Sequence, residues 1–297
     1  MPEYEYTPLN VHTGEIRLVE LHPGAFDDPI KISISTAPLV IPKTKPREED
    51  RLEKIRNNLP GGWYAYETLE GRIVFWHEDE EGPTWDHPNP DHDRALCEAD
   101  EAAIGVAQLA FEALSYTWGP DGNQTAIEVL PLAWECSLDS EAAIVSLAVR
   151  QNLHDALKHL RNPAAPRTLW IDAISINQKD LAERSLQVNR MGDIFKHARR
   201  VVVWLGLASH DSSIALRVLG RIGDQIEWSK GTHVLPAPDC TEMEWYKTTD
   251  ASCIDDDPET WRAVYDLICR PWFRRLWVRL PVCRLHVRQT LTWYVKS

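Results

Sequence analysis

The 297-residue sequence predicts an α/β fold with a parallel sheet, an N-terminal β-hairpin and a small three-stranded antiparallel insertion. Three observations predict it. After residue 108, apolar runs of strand length alternate with stretches of helical periodicity, the pattern of parallel strands joined by right-handed helical crossovers. Near the N-terminus two short runs alternate with period two. Between these regions lie about thirty residues with regularly placed Trp and Pro and too few apolar residues for a large core.

In chain order, Ile16-Arg17-Leu18 continuing to Leu21, and Ile30-Lys31-Ile32-Ser33-Ile34, are strands by their alternation. The Pro, Gly and Asp of His22–Pro29 make the connection between them a longish hairpin loop. The Pro, Lys, Arg and Glu that follow bury too little apolar surface to order themselves, so residues 42–56 read as a linker. A small module occupies 57–90. It leads through Asp86-His87-Pro88-Asn89-Pro90-Asp91-His92-Asp93 into a second linker, 91–108. The His and acid residues there are broken up by Pro, which favours a solvated loop over a metal site.

Phe111-Glu112-Ala113-Leu114-Ser115-Tyr116 reads as a strand ending in the turn Trp118-Gly119-Pro120-Asp121-Gly122. Asn152 stands at an N-cap position ahead of Leu153, Ala156, Leu157 and Leu160 at helical spacing, with an end near Asn162-Pro163. Thr168–Ile174 reads as a strand, and Val188, Met191, Ile194, Phe195 and Ala198 as a helical stripe. Val201–Gly206 is a continuous apolar run, as in a strand buried on both faces. Trp170, Trp204, Trp272 and Trp277 lie in apolar runs and read as core anchors.

The bulk properties exclude several classes of function. A net charge of -13 opposes the phosphate-neutralising surface that a nucleic-acid binder needs. No basic and apolar leader opens the chain, and no run of about 18 apolar residues occurs, so a soluble cytoplasmic protein without a membrane partner is expected. Six scattered cysteines without a C-x-x-C pair suggest neither a disulfide framework nor a zinc site. No Gly-x-Gly-x-x-Gly follows a strand, which speaks against a conventional dinucleotide oxidoreductase.

Leu59-Pro60-Gly61-Gly62-Trp63, Gly71–Trp76 and Thr84-Trp85-Asp86-His87-Pro88 resemble a WW domain. Three short strands hold together by stacking, which assigns Trp63, Phe75 and Pro88 to the structural face. Alternation places Val74 and Trp76 on the opposite face, with Trp85 beside them. In the family that face binds Pro-rich peptides in the polyproline II conformation. Here Val74 replaces the aromatic that usually pairs with the second Trp, and Glu78 falls where a polar residue often reads the ligand, so weak or absent Pro-peptide binding is expected.

Ala113–Gly119 and Leu169–Gln178 resemble the two hallmark blocks of the heterokaryon-incompatibility (HET) domain. The resemblance continues through Glu183-Arg184, Gln187-Val188, Met191, Ile194-Phe195, Ala198 and Trp204-Leu205-Gly206, and reaches back to Tyr6-Thr7-Pro8-Leu9 and Ile16-Arg17-Leu18. It divides the chain into N-terminal strands of the HET region (1–41), a HET domain (109–278, core 111–206) and an atypical tail (279–297). The resemblance implies fungal non-self recognition and a cell-death response through protein partners, with possible self-association. The HET domain is in turn similar, more remotely, to the flavodoxin-like fold of the Toll/interleukin-1 receptor (TIR) domain, some members of which cleave NAD.

Ligands of open α/β sheets bind at the carboxyl ends of the strands. Ser115, Tyr116, Trp118 and Gly119 from the first strand, with Asp172 and Asn177 from the second, therefore form the candidate pocket. Structural roles compete: Asp172 can cap a turn, Asn177 can hold its loop, and Trp118 can close the core. Glu183 in the first turn of a helix complements the helix dipole. Ser175 stands where the family has a cysteine, which removes thiol chemistry there.

Arg270–Val278 resembles the family's R-P-W-F-x-R-x-W block, which normally continues into Gln-Glu. By the TIR analogy that Glu is the carboxylate for a ribosyl transition state. Here Arg279-Leu280-Pro281 follow, with no acid to Ser297, as in a truncated or mis-spliced gene or a genuine loss of activity. No cofactor is assigned, and NAD enters only as a substrate of the family analogy, with a catalytically inactive interaction scaffold as the competing reading. No NAD cleavage is expected of this chain.

Overall fold

The computed structural model describes residues 1–39, 48–68, 71–79, 82–91, 110–132, 144–229, 233–241, 257–275 and 292–294. The N-terminal runs form β1 (Glu15–Leu21) and β2 (Lys31–Pro38), paired antiparallel with Val19 opposite Ile34. Next come α1 (Glu48–Asn57), β3 (Trp63–Glu67) and β4 (Ile73–His77). After them run β5 (Glu112–Tyr116), β6 (Gln124–Val129), β7 (Val145–Arg150), α2 (Gln151–Leu160), β8 (Arg167–Trp170), α3 (Asp172–Ser175), α4 (Leu181–His197) and β9 (Arg200–Trp204). The last elements are α5 (Ser212–Gln225), β10 (Ile226–Trp228), β11 (Val234–Pro236), α6 (Pro258–Ile268), a 3₁₀ turn (Pro271–Arg274) and β12 (Thr292–Tyr294).

Eight strands form one mixed sheet in the order β12-β9-β5-β8-β1-β2-β6-β7. β12, β9, β5 and β8 are mutually parallel, and β1 joins β8 antiparallel. The parallel core expected after residue 108 is present, but the sheet is not purely parallel. The N-terminal hairpin lies in the middle of the sheet rather than ahead of it. Ile16, Arg17, Leu18 and Val19 are all buried, so β1 is covered on both faces and must be an interior strand.

The faces of the sheet are covered by different helices. Leu153, Ala156, Leu157 and Leu160 of α2 pack against Val19, Leu114, Leu169, Val202 and Trp204. On the other face Ile194 of α4 meets Ile16, Ala113 and Trp170, while α5 and α6 cover Val201 and Val203. Alternate residues of β9 thus serve two cores, which is why its five residues are almost all apolar. Trp170, Trp204 and Trp272 are buried; Trp277 lies outside the described residues.

Two local readings are corrected. The strand expected over Thr168–Ile174 ends at Trp170, because Asp172 begins a one-turn helix in which Ile174 and Ser175 both donate to the Ile171 carbonyl. Asn152 is not the N-cap of α2. The helix starts at Gln151 directly from the extended Arg150, and no side chain caps it.

The small module also departs from expectation. It has two strands, with Ala65 opposite Phe75, and the expected third strand is reduced to a bridge between Phe75 and Thr84. The chain turns away there because the Thr84 hydroxyl accepts from the Asp86 amide at 3.2 Å, replacing a ladder bond. Residues 48–56, expected as linker, lie in α1. Ile55 is buried against Ala65, Ile73 and Phe75, and Arg56 donates twice to the Ala65 carbonyl. Mean composition hid one apolar stripe, formed by Leu52, Ile55 and Leu59. Phe75 is buried and Trp63 packs on the same cluster, but Pro88 is only half-buried, and His87 rather than Pro88 meets the Phe75 ring edge-on.

Among the described residues no helix is long and apolar enough to cross a membrane, and no group of three or more His, Cys, Asp or Glu is placed to hold a metal ion.

Candidate functional site

β5 and β8 are parallel neighbours, so their carboxyl ends bring Tyr116, Trp118 and Asp172 together. The Trp118 indole donates to Asp172 Oδ2 at 2.9 Å, and the Ala173 amide donates to Oδ1 at 2.8 Å. The Tyr116 hydroxyl lies close enough to this carboxyl for each group to shift the other. Burial pushes the Asp172 carboxyl up from its ordinary value, opposed by the Trp118 bond and the nearby Arg275 charge. The Tyr116 hydroxyl is pushed well up, first by burial and then by the Asp172 charge. Asp172 is therefore a carboxyl held within the protein's own donors.

In front of this cluster is a cavity of about 560 Å³. Tyr116 and Trp118 form part of its wall, Ala173, Asn177 and Gln178 another part, and the N-terminal segment with Tyr4 and Tyr6 a third. Arg150 lies over the Trp118 ring at 5.1 Å, donates to the Gly119 carbonyl at 3.1 Å and pairs with Asp121 at 2.5 Å. Gly119 has φ +77°, a left-handed conformation that glycine adopts at little cost. A side chain there would strain the turn that presents this carbonyl to Arg150.

Of the sequence-predicted residues, Tyr116, Trp118 and Asn177 line the cavity. Asp172 stands behind the wall. Gly119 is exposed and serves the turn. Ser115 points elsewhere, accepting from the Trp272 indole at 3.0 Å; alternation along β5 sends its side chain to the face opposite Tyr116. Asn177 carries a local duty as well, since its side chain accepts from the Lys179 amide at 3.1 Å. Ser175 accepts from the Ile171 amide at 3.1 Å and is buried.

Several residues of the site were not legible as such. Asn152 spans the strand ends: its amide donates to Thr117, and its oxygen accepts from the Trp204 indole at 3.0 Å. Gln178 donates to the Asp172 carbonyl at 2.9 Å, and Arg275 donates to the Tyr116 carbonyl. Arg17, 1 % exposed, pairs with both carboxylate oxygens of Glu183 and donates to the carbonyls of Thr7 and Ser175. Glu183 is therefore more than a complement to the helix dipole; the cap of α4 is Asp180, which accepts from the amides of Ala182 and Glu183. Tyr6 lies against Arg17 and donates to the Ile174 carbonyl at 3.0 Å. The only sequence signal for these contacts was the occurrence of Tyr6, Arg17 and Glu183 in separate blocks of one resemblance.

Two of the three residues expected on the module's peptide face are not free. Val74 is 0 % exposed, and Arg72 lies over the Trp85 ring at 5.7 Å. Trp76 is half-buried, opposite Tyr64. The expected acid position after Val278 lies outside the described residues, as does most of the tail.

Fold and site together define a mixed α/β domain with an aromatic cavity at the carboxyl ends of its parallel strands and a half-buried carboxyl behind it. The family described as "Heterokaryon incompatibility protein (HET)" matches residues 111–279, and the chain belongs to that family. It is 32% identical over 197 residues to "Heterokaryon incompatibility protein 6, OR allele" of Neurospora crassa. That match covers 59% of this chain and 27% of the relative, so the chain spans about a quarter of the relative's length. No solved structure matches the chain. The sheet extends beyond the family match, because β1 and β2 lie outside 111–279 yet sit at its centre.

Proposed function

We propose that this chain acts in fungal heterokaryon incompatibility, as a cytoplasmic domain that signals cell death after non-self recognition. The observation that supports the reading most is the family match over 111–279, read together with the printed name of the Neurospora crassa relative. The Trp118–Asp172 hydrogen bond joins the two hallmark blocks, Ala113–Gly119 and Leu169–Gln178, directly. The partners are proteins, including a second copy of the chain, rather than nucleic acid or membrane. In this reading the four parallel strands, which in chain order run second-first-third-fourth across the sheet, correspond to a TIR-like arrangement.

Inducible expression in a filamentous fungus tests the proposal. Growth arrest and loss of hyphal viability are expected on induction. Trp118→Ala should restore growth while the protein still accumulates. Normal growth with the native chain at equal abundance would sink the reading. Purified protein incubated with NAD is expected to release no nicotinamide, since Arg279 and Leu280 stand where the family carries Gln-Glu; sustained turnover would contradict this.

A further inference from the structure

We propose that the β3–β4 module is an intramolecular latch whose partner is the β10–β11 hairpin of the same chain. Cross-strand partners share a face, so Tyr64, Tyr66, Val74 and Trp76 lie on one side of β3–β4, and Trp63, Ala65, Phe75 and His77 on the other. α1 covers the second side through Ile55. The first side is the one on which the sequence places a peptide groove.

Three contacts tie that side to the hairpin. Thr68, just beyond β3, forms an antiparallel bridge with Ser229, just beyond β10. The Tyr66 ring meets His233 edge-on at 5.9 Å. Arg72 pairs with Glu227 of β10 while lying over Trp85. Leu235 lies opposite Glu227 in the hairpin, shares its face and is buried. Val74 is fully buried on the module side.

The charge arrangement specifies this occupant. Glu227 is 3 % exposed and the Arg72 side chain 43 % exposed, so a carboxylate is taken out of water against one cation that remains reachable by solvent. A buried charge of this kind tolerates loss of its partner poorly, whereas removal of both charges together is much milder. Loss of either charge alone should therefore loosen both segments together: while Arg72 is in place the hairpin holds the end of the face near Tyr66 and Val74, and its departure would widen the side that bears Tyr64, Trp76 and Trp85. The module on this account does not recruit an external peptide in the resting protein. It holds the β10–β11 hairpin against the insertion.

Hydrogen exchange on the full chain, followed by mass spectrometry, tests the latch. Arg72→Leu is expected to speed exchange about tenfold or more in both 63–77 and 226–236, leaving 112–116 and 200–204 as protected as in the native chain. Adding Glu227→Gln to Arg72→Leu should recover much of the lost protection in both segments. Acceleration confined to the segment carrying the substitution overturns the latch. So does micromolar binding of a Pro-rich peptide to the native chain by calorimetry, which would show the face to be open. Should the Arg72 variant fail to fold, a Thr68→Cys/Ser229→Cys chain supplies an independent reading. The two positions are opposite each other in the bridge and should cross-link under mild oxidation; failure of that folded chain to cross-link overturns the proposal.

Discussion

Asn152 shows how much one side chain can do where three elements meet. Its amide serves Thr117 at the end of β5, and its oxygen serves Trp204 at the end of β9. Trp204 is buried, so Asn152→Leu leaves an indole N–H without an acceptor. A loss of about 1–3 kcal/mol in stability is expected by urea unfolding, against a smaller loss for Asn152→Asp, which keeps the acceptor. Asp172 makes a prediction of opposite sign. Its folded pKa is raised by burial, so the native state binds the proton more tightly than the unfolded chain. The favourable contribution is present below the unfolded carboxylate value and is lost as pH rises through the folded value. Asp172→Asn removes that dependence. Melting curves should show the variant gaining on the native chain as pH rises from the acid range toward neutrality; a gap that stays constant with pH would refute this.

At the scale of elements, the N-terminal segment becomes a wall of the cavity because Arg17 anchors it. Arg17 lies on the central strand β1 and reaches Glu183 on α4, Ser175 after β8 and Thr7 in the segment itself. Removing the cation leaves a buried carboxylate. Arg17→Met should cost about 3–5 kcal/mol, and the double variant Arg17→Met/Glu183→Leu should recover a large part of it, as measured by denaturant unfolding. A second ionic cluster joins the other ends of the same strands, where Glu112 of β5 pairs with Arg167 of β8 and Arg200 of β9. Sequence reading placed Glu112 on a strand but left Arg167 and Arg200 one residue ahead of theirs, and could not pair the three. Pairing follows from the lateral order β9-β5-β8, in which β5 lies between strands that follow it by more than fifty residues.

For the whole molecule, the sheet order implies a graded stability. β5, β8 and β1 are interior strands covered on both faces, whereas β10–β11 is a separate two-stranded sheet with Trp228 exposed. Native-state hydrogen exchange should therefore find amides of 112–116 and 15–21 slowest and those of 226–228 much faster. Equal protection in the two sets would show that the limb and the main sheet open together. The hairpin expected as a forerunner of the domain belongs to its centre, so deleting residues 1–38 should abolish folding of the remainder rather than trim it. Loss of the sharp thermal transition in that truncated chain is the expected result.

By itself the sequence determined the α/β class, the strand over Phe111–Tyr116, the helices around Leu153–Leu160 and Val188–Ala198, the buried strand at Val201 and the two blocks that meet at the cavity. These are properties of local periodicity and of residue types at fixed spacing, which a linear chain displays directly. Tertiary structure alone decided that β1 is interior, that Asp172 lies behind the wall and Ser115 on the other face, and that Val74 is buried rather than presented on a peptide face. Each of these depends on which distant segment packs against a given face. That choice is made by the lateral order of strands and by buried charges such as Arg17, Glu112 and Glu227 finding partners, and nothing in the spacing along the chain encodes it.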